Sequence, residues 1–405
     1  MKPLALALAA AALGAQTFEQ RGFFEMRGTV YPQTAPGDSG RGVAEGFLRW
    51  EGSYEANRSV KFFGGVDART DSHRMTEREF RLDWRDRRAL RPAISLRRAS
   101  VAWYRGGFTL EVGKQFIRWG KADILNPTDR FAPRDYLSVT DNEFLGVTAA
   151  RATWESGSHS IDLVAQPLFT PSRTPLLNQR WAPLPAEVRE VRIIDDGAAI
   201  PGRTQFGARW NHVGRGHETS LVFYDGFHYL PLVTPQIDFR NQALRLSRYH
   251  PQLRLYGADT AVALPWFTVK AEAAYFTSKT PQADEYVLYV VQGERTVGEW
   301  IFVGGYAGEH VTQRRNPLAF APDRGFAKSF LGRAAYTLGP RRSAALEAAV
   351  RENGDGLWLR FEYSEEFSPH WRLTTAVVLI RGHETDFLGQ FRRNSHWSTA
   401  FRYSF

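Results

Sequence analysis

The stretch Ser395–Phe405 reads SHWSTAFRYSF, and its alternation decides the fold. Trp397, Thr399, Phe401, Tyr403 and Phe405 share one parity, and His396, Ser398, Ala400, Arg402 and Ser404 share the other. A period of two is that of a strand with one face toward an apolar medium and the other toward a polar one. The same pattern recurs upstream. Phe24, Met26, Gly28 and Val30 alternate with Glu25, Arg27 and Thr29. Phe206, Ala208 and Trp210 oppose Gln205, Arg209 and Asn211, and Phe267, Val269, Ala271 and Ala273 oppose Thr268, Lys270 and Glu272.

These segments are about ten residues long, the length of a tilted strand crossing a bilayer. Strands in lipid must pair every backbone group, so they have to close on themselves. The expected fold is all-β: a transmembrane antiparallel up-and-down β-barrel of about 18 strands, with 16 as the alternative. Expected strand starts lie near residues 22, 43, 58, 95, 107, 146, 158, 204, 217, 252, 266, 284, 297, 326, 341, 354, 369 and 395. Short turns such as 105–107, 156–158 and 214–216 alternate with long loops near 32–42, 71–94, 119–145, 169–203, 229–251, 312–325 and 382–394. Asn353-Gly354 marks a short loop among the long ones. The terminal strand resembles that of bacterial outer-membrane barrels, which implies that Phe405 is an assembly signal read by the barrel-assembly machinery.

Residues 1–15 read as a signal peptide: Lys2 supplies a positive start, Leu4–Leu13 an apolar run, and Ala15 a small residue at the cleavage point. Residues 16–405 then form a single barrel, and the expected address is the cell outer membrane. The 405 residues include 12 Trp, 15 Tyr and 28 Phe, the side chains that membrane barrels place at lipid–water boundaries. Mean hydropathy is −0.38, and beyond the leader no apolar run reaches the length of a membrane helix. There is no cysteine, which excludes disulfides and thiolate metal sites. The net charge of +9 rests on arginine, since seven of the 52 basic residues are lysine and 45 are arginine.

A barrel of this size encloses a water-filled lumen unless loops fill it. Charges expected on the lumen side include Arg27, Arg49, Lys61, Arg69, Arg209, Lys270, Arg333, Arg351, Arg360, Arg372 and Arg402. Facing them are Glu25, Glu45, Glu51, Asp67, Glu272, Glu347 and Glu362. The excess of cations favours anions in the pore, although charges of this kind also brace a wall by pairing across strands. Arginines at the outer rim would meet lipopolysaccharide phosphates.

The most distinctive internal segment is Gly113–Tyr136, GKQFIRWGKADILNPTDRFAPRDY. It resembles a signature of a porin-like outer-membrane family of uncharacterised function, related to alginate-export and substrate-specific porins. The matching positions are Gly113, Lys114, Gln115, Trp119, Gly120, Asp123, Asp129, Pro133 and Asp135. Lys114 stands where the signature has arginine, and the proline lies in A-P-R-D. The resemblance covers this segment alone; it implies a barrel and an outer-membrane address and names no solute.

Physically, the segment starts as a strand and breaks at Pro127 and Pro133, which cannot donate to a ladder. Trp119, Ile124, Leu125 and Phe131 are too apolar for a solvated loop. The loop is expected to fold inward near 119–145 and narrow the pore, with Lys121, Arg130 and Arg134 facing Asp123, Asp129 and Asp135; an outward loop packed on itself is the alternative.

Catalytic patterns are lacking: no H-E-x-x-H, no G-x-S-x-G and no phosphate-binding loop. His396 and Ser398 share a face and are the residues a barrel-wall lipid hydrolase would use. Asp195-Asp196 and Asp141-Asn142-Glu143 are acidic enough for Ca²⁺ but read as solvated loop charge. The expected function is passive passage of polar, chiefly anionic, solutes. A plugged structural or adhesion barrel, or the wall hydrolase, is the competing reading. No cofactor, metal or nucleic acid enters it; the partners are membrane lipid and lipopolysaccharide, the assembly machinery and small solutes.

Overall fold

A computed structural model describes residues 17–123, 125–183, 191–315 and 321–405. The expected signal peptide, residues 1–15, Ile124 and part of the 169–203 loop lie outside the described residues. Eighteen long strands form the wall. The first six are β1 (Phe18–Val30), β2 (Gly42–Asn57), β3 (Val60–Asp71), β4 (Ile94–Arg105), β5 (Phe108–Gln115) and β6 (Val147–Ser156). Then follow β7 (His159–Leu168), β8 (Gln205–Gly214), β9 (His217–Phe227), β10 (Gln252–Ala263), β11 (Thr268–Thr277) and β12 (Glu285–Val297). The last six are β13 (Trp300–Gln313), β14 (Ser329–Gly339), β15 (Arg342–Arg351), β16 (Gly356–Glu366), β17 (Trp371–Gly382) and β18 (His396–Ser404). Each pairs antiparallel with the next, and β18 pairs with β1, so the sheet closes as an 18-stranded barrel. The expected strands all appear; Glu79–Asp86, which alternates in sequence, is loop apart from the two residues Leu82–Asp83.

The outward face is apolar. Phe24, Met26 and Val30 of β1 are exposed while Glu25 between them is buried. Trp103, Trp154, Trp210, Trp266, Trp300 and Trp371 are exposed toward the short-turn rim, a belt suited to the membrane boundary. At the seam, Gly22 and Phe405 exchange backbone hydrogen bonds of 2.9 and 3.0 Å. A Cβ on Gly22 would lie 2.6 Å from the Phe405 ring, so glycine there is what lets the terminal aromatic lie across β1.

The long loops are not free coil. Arg192–Ala199, Ala243–Tyr249 and Leu232–Asp238 form a three-stranded sheet at the long-loop rim. Arg248 pairs with Asp195 at 2.7 Å, and Arg245 with Asp196. The two acids singled out in sequence for Ca²⁺ thus have guanidinium partners.

Candidate functional site

The segment between β5 and β6, residues 116–146, folds into the lumen and touches both walls. Its apolar side chains explain why: Ile117, Trp119, Phe131, Leu137 and Val139 are almost fully buried, and all but Leu137 belong to one apolar cluster with Val222, Tyr224 and Phe276 of the wall. Removing these surfaces from water outweighs keeping the loop solvated. The Trp119 and Phe131 rings meet edge-on at 5.4 Å, and Phe131 meets Tyr224 at 5.3 Å. Gly207 of β8 makes room; a Cβ there would stand 2.5 Å from the Phe131 ring.

Polar bonds fix the register on the β7–β12 side. The Trp119 indole N–H donates to Asp162 at 3.2 Å. Lys121 Nζ lies 2.8 Å from Asp259 and 3.2 Å from Glu218. Glu272, 2 % exposed, accepts from the backbone N–H of Lys121, Ala122 and Thr128 and from the Thr128 hydroxyl, at 3.1, 3.3, 2.7 and 2.8 Å. Asp123 pairs with Lys270 at 3.0 Å, and its N–H donates to Gln292.

On the opposite wall, Arg27 pairs with Asp141 at 2.7 Å and Arg49 with Glu143 at 3.2 Å, while Arg69 also reaches Glu143. Burial pushes the Glu143 carboxyl up, but Arg69, Arg49 and Arg97 more than offset that and hold it at about 2. Burial likewise raises Asp141, and Arg27 and Arg360 bring it below the usual carboxylate range. Asp135 is buried between Arg91 at 3.0 Å and Arg173 at 3.1 Å; Arg173 also holds Asp86 at 2.7 Å, and Lys114 pairs with Asp86. The two arginines overcome the desolvation of Asp135 and depress its carboxyl strongly. This knot ties the loop to residues 72–93 and 169–183.

The expected facing of Lys121, Arg130 and Arg134 against Asp123, Asp129 and Asp135 is therefore not the arrangement observed. Asp129 pairs with Arg118 at 3.2 Å and accepts from the Gly120 N–H at 2.8 Å. Asp123 and Asp135 take their cations from outside the loop, Lys270 for the one and Arg91 and Arg173 for the other, while Asp129 takes Arg118 within it. Arg130 and Arg134 have no carboxylate within ion-pair distance among the described residues; Arg130 lies 4.9 Å over Phe276 and Arg134 4.0 Å over Phe144.

Most other expected lumen charges pair along the wall. Arg402 meets Glu25 at 2.6 Å, Arg360 meets Glu362 at 2.5 Å, Lys61 meets Glu55 at 2.8 Å, and Arg372 meets Glu366. Arg209 donates to Ser220 at 2.8 Å and stands 3.6 Å from Asp259. His396 Nδ1 is 2.8 Å from the Asn394 carbonyl and its ring packs on Tyr31. Sequence reasoning missed Asp162, Ser220, Asp259 and Gln292 as loop anchors. Their signal was a polar residue at an inward parity on β7, β9, β10 and β12.

No protein-family model matches the chain, and no curated protein matches it in sequence. Solved structures do match in fold. OccAB4 of Acinetobacter baumannii has a TM-score of 0.57 at 10 % identity, over 97 % of this chain and 99 % of that one. OpdQ of Pseudomonas aeruginosa has 0.53 at 11 %, over 96 % and 97 %. Both are outer-membrane porins. The chain has the fold of an outer-membrane porin, in agreement with the porin-like resemblance of its Gly113–Tyr136 segment. A closed barrel with an apolar outer face belongs in the outer membrane.

Proposed function

We propose that this protein is a porin-like channel for passive passage of small polar solutes, anions preferred, with its bore set by residues 116–146. The observation that carries the reading is the loop held to both walls by Glu272 and Lys121 on one side and by Arg27 and Arg49 on the other. Between loop and wall lies a polar cavity of about 90 Å³ where Arg27, Arg69 and Arg402 face Asp141 and Glu143. A transverse field of this kind orients polar solutes and excludes apolar ones. The net charge of +9 and the unpaired Arg130 and Arg134 support the anion preference.

Under the same reading the strand ending in Phe405 is the segment the barrel-assembly machinery engages, and rim arginines contact lipopolysaccharide phosphates. Purified protein in a planar bilayer should give discrete conductance steps, with a zero-current potential in a KCl gradient on the chloride side. Complete silence over a range of salt would establish a plugged barrel instead.

A further inference from the structure

Where residues 116–146 turn into the lumen, they leave the wall incomplete. β4 pairs with β5 only from Ala99 to Arg105, so Ile94–Arg98 at its long-loop end have no partner from β5. An unpaired edge in a lipid-facing wall is costly. The loop between β3 and β4 fills the place. Leu82–Asp83 pairs in parallel with Ile94–Ser95. Lys114 Nζ, near the end of β5, donates to the Trp84 carbonyl at 3.0 Å. Arg87 Nε donates to the Phe169 carbonyl, just beyond β7, at 2.8 Å. The alternation of Glu79–Asp86 in sequence thus belongs to a short substitute for the missing part of the wall.

Its parity is that of the lipid face. Leu82 stands opposite Ile94, Ile94 opposite Ala68, and Ala68 shares the parity of the exposed Phe62. Phe80, Leu82 and Trp84 are 89, 53 and 42 % exposed. Large apolar side chains grouped in this way mark a contact surface. Arg78, Arg81 and Arg85 stand among them, exposed and with no carboxylate within ion-pair distance among the described residues. The nearby acids are engaged elsewhere. Glu77 pairs with Arg88, Glu79 lies 3.9 Å from Arg88, and Asp86 holds Lys114 and Arg173. Asp83 accepts the Arg85 backbone N–H at 3.1 Å. The Arg85 guanidinium lies 4.7 Å over the Trp84 ring. Burial, and the charge of Arg85 beside it, press the Arg87 pKa down. Unpaired guanidiniums around apolar rings suit a lipid with phosphate at the boundary and acyl chains below it.

We propose that residues 78–87 are a docking surface for one molecule of lipopolysaccharide. Phe80, Leu82 and Trp84 lie against the acyl chains of its lipid A, and Arg78, Arg81 and Arg85 take the two phosphates. The long-loop rim is the outer one, and guanidinium forks match phosphate oxygens in geometry as well as charge. A phospholipid brings a single phosphate and leaves part of the arginine cluster without a counter-charge. The surface rests on the reading above that rim arginines meet lipopolysaccharide, and it is independent of the pore.

Lipid A with two phosphates is the probe, with monophosphoryl lipid A and phosphatidylglycerol beside it. Native mass spectrometry of the detergent-folded protein should show one retained lipid A, held more strongly than either comparison lipid. R78Q/R81Q/R85Q should weaken it by at least about tenfold, the effect of losing one charge-assisted contact. F80S changes a side chain that the protein leaves exposed, so it reports on the surface even where the triple variant misfolds. It should also weaken lipid A binding. The control R240Q, an exposed arginine of the 229–251 loop, should bind lipid A as the native protein does. Equal retention of phosphatidylglycerol, or an equal loss in R240Q, would overturn the proposal. Native-like binding by both R78Q/R81Q/R85Q and F80S would overturn this surface and leave the rim contact elsewhere. No lipid A binding by the native protein would sink both. Lipid A binding through these residues in a protein that never conducts would keep the surface and sink the channel.

Discussion

Replacing Glu272 with alanine should loosen the loop without opening the barrel. Its carboxylate receives four hydrogen bonds from residues 121–128 and is 2 % exposed. A bond to a charged group contributes about 1.5–3 kcal/mol net, and donors stranded in the interior cost more. The four share one acceptor group and do not add. A loss of about 4 kcal/mol in docking is a reasonable total, a weakening of roughly a thousandfold. The loop stays attached through Trp119–Asp162 and Lys121–Asp259, so residues 121–128 gain motion while the loop ends hold. Single-channel recording should show a larger mean conductance and much greater open-channel noise. Glu272→Gln keeps one acceptor oxygen and should fall between the native protein and Glu272→Ala. Native conductance and noise in both variants would refute the reasoning, because Glu272 would then not hold the loop in place.

Acid should act late on the side of the loop that faces β1–β3. Asp135, Asp141 and Glu143 have depressed folded-state pKa values, Glu143 at about 2, so they stabilise docking fully above the unfolded carboxylate range and lose that contribution as pH falls from about 4.5 toward 2. Amide hydrogen exchange across residues 135–143 should stay protected between neutral pH and about pH 5 and lose protection only near pH 3 or below; a loss already at pH 6 would contradict this. Arg173→Ala leaves Asp86 and Asp135 short of a buried partner, at a cost of about 3–5 kcal/mol. Limited proteolysis should then cut the 72–93 and 169–183 loops faster while the barrel itself stays resistant. Gly22→Val would drive a Cβ into the Phe405 ring and the Arg49 carbonyl, both at 2.6 Å. The yield of folded, heat-modifiable barrel should drop, whereas Gly28→Val, with open space around its Cβ, should fold normally.

The wall was legible because lipid leaves a strand no choice. Met26 and Glu25 must face opposite ways, and that parity, repeated, gives the strand count. Phe405 was legible as a terminal aromatic, but its seat over Gly22 depends on a seam joining residues far apart in the chain. The inward loop was foreshadowed by the apolar Trp119 and Phe131. Its partners were not, because Lys121 reaches Asp259 and Glu272 reaches Thr128 across separations that periodicity does not encode. Arg173 belongs to no sequence motif; only the folded loops show it between two buried acids. The small sheet of residues 192–199, 232–238 and 243–249 has no clear signal in sequence because its strands are short and pair outside the barrel.

On the channel reading, the bore is what residues 116–146 leave open. Single-channel conductance of a variant with residues 120–144 replaced by a short Gly/Ser linker, beside the native protein in the same bilayer, tests it most directly. Both should give discrete steps, several-fold larger in the variant, with anion preference lost. Equal conductance, or silence from both, would contradict it.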